Sequence, residues 1–196
     1  VVESGGVIRA DANTGGNADD LAFSSNGRVL FKTGSVFEWN NTGQFGATNV
    51  TYFQSDAERP VFRLSRNIGL AVGGANSLVV RGLFEANGNL TFAGAGVKIF
   101  RDGIIGTGTI TQQSSSGPLQ ISGTDAQLGG TGTIILEAAG LQINAGAQVL
   151  LVSNKTINNF SFTNNGTFNC QQFIVSGSTL FVNAPGAFLG IGSADG

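Results

Sequence analysis

Six stretches of the chain share one spacing: an apolar residue, a small turn residue four positions on, and a second apolar residue two positions later. The first three are Phe84-Glu-Ala-Asn-Gly88-Asn-Leu90, Ile104-Ile-Gly-Thr-Gly108-Thr-Ile110 and Leu128-Gly-Gly-Thr-Gly132-Thr-Ile134. The others are Ile143-Asn-Ala-Gly-Ala147-Gln-Val149, Phe162-Thr-Asn-Asn-Gly166-Thr-Phe168 and Val182-Asn-Ala-Pro-Gly186-Ala-Phe188. Their turn residues are separated by 20, 24, 15, 19 and 20 positions. One supersecondary unit recurring at about 20 residues is the mark of a solenoid. Between the anchors lies another apolar segment: Val97–Phe100, Leu119–Ile121, Thr156–Ile157 and Phe173–Val175. Each repeat therefore carries at least two strands joined by bends at Gly or Asn.

No window keeps the i, i+3, i+4, i+7 apolar stripe of a helix, so almost no helix is expected. The apolar positions recur once per repeat rather than on alternate strands, and strict two-residue hairpin turns are scarce. Both features favour coiling in one direction, and the fold predicted is an all-β, right-handed parallel β-helix with rungs of about 20 residues. A β-sandwich or barrel is the alternative. Under the β-helix, Phe84, Ile104, Leu128, Ile143, Phe162 and Val182 are expected in one buried column. Leu90, Ile110, Ile134, Val149, Phe168 and Phe188 are expected in another.

Residues 1–81 read as irregular rungs and 82–196 as regular ones, within one continuous domain. The first part holds short strand-like runs (Val7–Ala10, Arg28–Lys32, Val36–Trp39, Val50–Phe53 and Val61–Ser65) separated by Gly, Asn, Asp and Ser. β-Branched and aromatic residues favour strands there.

Composition narrows the function classes. Glycine supplies 31 of 196 residues, but only 3 prolines and no Gly-X-Y period occur, which excludes collagen. The net charge of −2 leaves no polybasic surface for nucleic acid, whose phosphates draw most of their affinity from Lys and Arg. No apolar run approaches the roughly 20 residues of a membrane span. Cys170 is the single cysteine, so no internal disulfide forms, and its position on an apolar column reads as a small buried hydrophobe. Both ends lie in patterned sequence without charged or proline-rich caps except for Asp195. They lead to the expectation of an interior segment of a longer chain, its ends covered by further rungs of the same protein or by a secretion or surface partner.

The run from Val36-Phe-Glu-Trp-Asn through Thr51-Tyr-Phe-Gln-Ser to Pro60-Val-Phe-Arg-Leu-Ser resembles a recurrent region of very large secreted surface proteins of Bacteroidota-type bacteria. So do Gly82-Leu-Phe-Glu-Ala-Asn-Gly, Phe100-Arg-Asp-Gly-Ile-Ile-Gly-Thr-Gly, Leu128-Gly-Gly-Thr-Gly-Thr, Leu141-Gln-Ile-Asn-Ala-Gly and Ser153-Asn-Lys-Thr-Ile. The resemblance implies a β-solenoid stalk or passenger, secreted or held at the bacterial surface and exported by the type IX route.

Candidate chemistry is sparse. Catalysis on a β-helix needs carboxylates or a basic residue clustered in one groove. The candidates are Asp19-Asp20, and Asp56 and Glu58 with Arg59 and Arg63; the second group reads as an exposed loop with local ion pairs. Calcium in Gly-rich turns needs an Asp per turn, and Asp125 stands alone among the repeats. Thr107, Thr109 and Thr111, with Thr131 and Thr133, outline a threonine face, which stops at Thr167 and Ala187 in the later anchors. The Asn-X-Ser/Thr sites at Asn40, Asn49, Asn89, Asn154, Asn159 and Asn165 arise by chance in a chain of this composition. The expected function is a non-catalytic structural or adhesive rod, with no catalytic, cofactor or metal residues and no cofactor. The alternative is a glycan-binding or glycan-active domain using Trp39, Tyr52 and Phe53 as stacking platforms.

Overall fold

The computed structural model describes residues 1–11, 29–43, 49–53, 55–72, 75–137 and 139–192. Among them every regular element is a strand, and the strands stack into three parallel sheets of a β-solenoid. Sheet 1 runs in the order β1 (Val7–Asp11), β2 (Val36–Asn40), β4 (Val61–Leu64), β7 (Leu83–Ala86), β10 (Gly103–Ile105), β13 (Ala126–Leu128), β16 (Gln148–Leu151), β19 (Thr167–Asn169) and β22 (Phe188–Gly190). Sheet 2 holds β5 (Ile68–Val72), β8 (Leu90–Phe92), β11 (Ile110–Gln112), β14 (Thr133–Leu136), β17 (Lys155–Asn159) and β20 (Val175–Ser176). Sheet 3 holds β3 (Val50–Tyr52), β6 (Leu78–Val80), β9 (Lys98–Phe100), β12 (Leu119–Ile121), β15 (Leu141–Ile143), β18 (Ser161–Asn164) and β21 (Leu180–Asn183). The chain visits sheets 1, 2 and 3 in turn, about 22 residues per circuit and about seven circuits in all. All three sheets cross position 81–82: β4 pairs β7, β5 pairs β8 and β6 pairs β9.

Strand alternation decides what faces the axis. In Leu83-Phe-Glu-Ala the even members are buried and the odd ones half-exposed, the pattern of a strand with one wet face. Parallel stacking then places inward residues over inward residues. On sheet 1 the column runs Phe37, Phe62, Phe84, Ile104, Leu128 and Leu151. On sheet 2 it runs Ile68, Leu90, Ile110, Ile134 and Ile157. In the circuit of β7, β8 and β9, one ring from each sheet meets at the axis: Phe84 lies 5.0 Å from Phe100 and 6.3 Å from Phe92 between ring centroids, and Phe92 lies 5.8 Å from Phe100.

The two expected columns are right for three rungs and then change sheet. Ile143 and Phe162 belong to sheet 3, where Ile143 stacks on Ile121 and Phe162 lies between Leu141 and Phe181. Val149 and Phe168 belong to sheet 1, in a column with Ala126 and Leu189. Val182 and Phe188 are not buried: they face outward, 40% and 60% exposed. The cause is that one six-residue step between inward apolar residues serves two different corners. It turns from sheet 1 to sheet 2 in the early repeats and from sheet 3 to sheet 1 in the later ones, and the 15-residue interval marks the change.

Rung-to-rung contact demands glycine at both corners, since a Cβ on Gly166 would lie 2.4 Å from the Ala147 carbonyl oxygen. Gly88, Gly108 and Gly132 form a vertical stack. A Cβ on Gly108 would lie 2.1 Å from the Gly88 carbonyl oxygen, and one on Gly132 would lie 2.0 Å from that of Gly108. No side chain fits between rungs there. Gly146 and Gly186 have open space but φ of +80° and +84°, a conformation glycine adopts without steric cost.

Candidate functional site

The loop between β3 and β4 leaves the corner of sheets 3 and 1 and is tied down over several rungs. Lys32 Nζ donates to Glu58 at 2.9 Å, and the Thr33 amide and hydroxyl donate to the other carboxylate oxygen at 2.7 and 2.9 Å. The Lys32 bond, assisted by those from Thr33, holds the Glu58 carboxyl down at about 2. Arg101, with little of its side chain exposed, donates to the carbonyls of Ser55 (3.0 Å) and Glu58 and pairs with Asp102 at 2.7 Å. Asp56 lies 3.5 Å from both Arg81 and Arg101. At the loop's end Arg59 pairs with Asp125, 66 positions away. The expected loop is thus present, but its ion pairs are long-range: Glu58 engages Lys32, Asp56 engages Arg81 and Arg101, and Arg63 engages Glu85 of the next rung at 2.8 Å. Asp19-Asp20 lie outside the described residues.

Arg59 borders three adjoining hollows beside the outer face of sheet 1. The largest, about 550 Å³, is lined by Arg59, by Thr124–Gln127, by Gln148–Leu150 and by Thr167 and Asn169. A second, about 160 Å³, continues over Val61 and Leu83, and a third, about 230 Å³, lies over Arg101, Asp102 and Gly123. Alternation in β13, β16 and β19 turns Gln127, Gln148, Leu150, Thr167 and Asn169 outward, since their neighbours Ala126, Leu128, Val149, Leu151 and Phe168 are buried. The sequence pattern alone places these side chains outside. It contains no sign that Arg59 arrives beside them.

Trp39, Tyr52 and Phe53 are 1%, 0% and 2% exposed. They pack in the core and present no stacking platform, because Trp39 and Tyr52 occupy inward positions of β2 and β3. Asp125 is engaged by Arg59, and among the described residues no group of three or more His, Cys, Asp or Glu is placed to hold a metal ion. Cys170 is half-buried against the core and burial pushes its thiol up. The threonine ladder extends further than the sequence spacing implied. Thr133 stacks on Thr156 and Thr156 on Ser176, while Thr111 lies between Thr91 and Ile135; Thr167 and Ala187 stand at the corner of sheets 3 and 1, away from this face.

Two lysines point inward, which the sequence pattern did not signal. Lys98 stands in the sheet 3 column between Leu78 and Leu119, fully buried, its Nζ donating to the carbonyls of Gly94 and Gly96. Lys155 is 3% exposed and donates to the Gly129 carbonyl at 3.0 Å. Burial pushes each ammonium down to about 8. At the C-terminal end, Phe168, Cys170, Phe173, Val175, Phe181 and Leu189 surround an apolar hollow of about 350 Å³. Ile174, Leu180 and Ile191 beside it are 63%, 66% and 79% exposed.

Fold and surface together define a three-sheeted parallel β-solenoid with a polar trough along one flank. No protein-family model matches the chain, and no curated protein or solved structure matches it.

Proposed function

We propose that the chain is a non-catalytic, rigid solenoid segment, a stalk or passenger that spaces or presents other elements at a bacterial surface or in the secreted state. The observation that carries the reading is the continuity of the ladders into an apolar end face. Phe162 stacks on Phe181 and Phe168 on Leu189, and Ile174 and Ile191 stand exposed beside the hollow at this end. Exposed strand edges are ordinarily blunted by charge or proline. Between Thr156 and Gly192 the sequence has no charged residue and a single proline. Further rungs of the same protein, or a surface partner, would bury this face. Passage by the type IX route and a place at the cell surface belong to the same proposal and rest on the sequence resemblance.

Sedimentation of residues 1–196 over a range of concentrations tests the reading. End-to-end association, abolished by Ile174→Lys with Ile191→Lys, is the expected result. A monodisperse monomer at all concentrations, unfolding cooperatively, would overturn it.

A further inference from the structure

We infer that the trough on the outer face of sheet 1 binds a neutral polysaccharide, with Gln127 and Gln148 as its principal hydrogen-bonding residues. The site is independent of the apolar end face and does not depend on the rod reading.

Three observations converge on this ligand. The first is shape: the largest hollow lies along β13, β16 and β19, and the smaller one continues it over β4 and β7. An elongated, open trough fits a chain molecule better than a compact metabolite. The rungs stack at the ~4.8 Å strand spacing, a step commensurate with the repeat of an extended pyranosyl chain.

The second is the state of the polar groups. Several side-chain amides elsewhere are committed to the protein's own ladders. Gln120 donates to Gln142 at 3.4 Å and accepts from Asn144 at 3.2 Å, and buried Gln112 bonds to Gly117 and Gly140. In the trough, no hydrogen bond among the described residues engages the side chains of Gln127, Gln148, Thr124 or Thr167. Each amide offers a donor and an acceptor side by side, the complement of a sugar hydroxyl pair. Leu150, between Gln127 and Asn169 in register, supplies an apolar floor for the C–H face of a ring.

The third is charge. Arg59 and Asp125 stand at the head of the trough and neutralise one another, both largely exposed. A paired guanidinium and carboxylate presents donors and acceptors without net charge. That arrangement favours vicinal hydroxyls over a carboxylate or sulfate, which would have to compete with Asp125 for Arg59.

Affinity electrophoresis of the intact 196-residue chain through gels containing soluble glucan, mannan, galactan or polygalacturonate tests the assignment. The expected result is retardation by at least one neutral polymer, little changed by 0.5 M added salt (about a 4 Å screening length). Gln127→Ala with Gln148→Ala is expected to weaken it about tenfold, as the loss of one or two net hydrogen bonds predicts. Both side chains are exposed, so an unchanged thermal midpoint is expected to show that the fold survives. Arg59→Ala gives a second test at the opposite wall and should also reduce retardation. No retardation by any neutral polymer, retardation by polygalacturonate alone, or retardation unaffected by both variants would each overturn the inference.

Discussion

The rungs before Gly103 and those between Gly103 and Asn159 reach the same architecture by different packing. In the early rungs, rings from two or three sheets touch across the axis: Tyr52 with Phe62 at 4.6 Å, and Phe84 with Phe92 and Phe100. From Ile104 to Ile157 the core is aliphatic, with Ile110, Ile134 and Ile157 repeating along sheet 2. The rings meet both across the axis and from rung to rung, as Phe37 does with Phe62 at 5.4 Å and Phe62 with Phe84 at 5.6 Å. An isoleucine gains most from the residues directly above and below. The early rungs are also laced by ion pairs along their flank, whereas the sequence from Thr156 to Gly192 has no charge at all. The difference teaches that the early rungs are tied to one another by rings and ion pairs, and the middle ones by the register of their aliphatic columns.

The sharpest way to break that comparison is through the core. Phe62→Ala should cost about 3–5 kcal/mol and Ile110→Ala about 2–5 kcal/mol, through lost transfer energy and the cavity left behind. Phe62→Ala removes ring contacts to Phe37 and Phe84 in both neighbouring rungs as well as to Tyr52, so hydrogen exchange should rise over more rungs than in Ile110→Ala. Equal spread in the two variants would refute the distinction.

The buried lysines come next. Their folded values near 8 lie below the ordinary 10.5, so between about pH 8 and 10.5 the unfolded chain binds more protons than the folded one. Stability should therefore rise with pH across that window, by an amount on the order of a few kcal/mol for the two groups together. The Cys170 thiol, pushed up by burial, opposes the rise at its upper end. Urea melts of Lys98→Met should show about half of the increase; an unchanged pH profile would mean that Lys98 is not buried in solution.

Smaller effects are expected at the corners and the flank. Gly108→Ala forces a Cβ against the Gly88 carbonyl and should cost about 1–3 kcal/mol or more, whereas Gly146→Ala meets only the strain of its positive φ, ~1 kcal/mol. Thermal midpoints would rank the two. The Arg63–Glu85 pair should show a coupling below about 1 kcal/mol in a double-mutant cycle, since both partners are partly solvated.

Much of the fold was legible because stacking demands like residues at like positions. The word Gly88, Gly108, Gly132 marks a true vertical stack, and Leu90, Ile110 and Ile134 a true column. The register failed at Ala147 because a six-residue step says only that the chain turns a corner, not which corner. Trp39 and Tyr52 read from sequence as either core or platform because aromatic residues suit both a core and a sugar; their inward positions in β2 and β3 decide for the core. Lys98 was hidden by the opposite bias, since a charge within Val97-Lys-Ile-Phe suggests a wet face. Nothing in local pattern places Arg59 beside Asp125, because loop paths are set by tertiary contacts.

The parallel ladders have a mechanical consequence. Their hydrogen bonds lie along the long axis, so a pull between the ends loads three sheets side by side at each interface between circuits. The chain would yield one turn at a time: a released circuit of about 22 residues pays out roughly 75 Å of extended backbone in exchange for a rung ~4.8 Å high. Such a segment is stiff at low tension and, beyond a threshold, lengthens by an order of magnitude while the remaining turns stay folded.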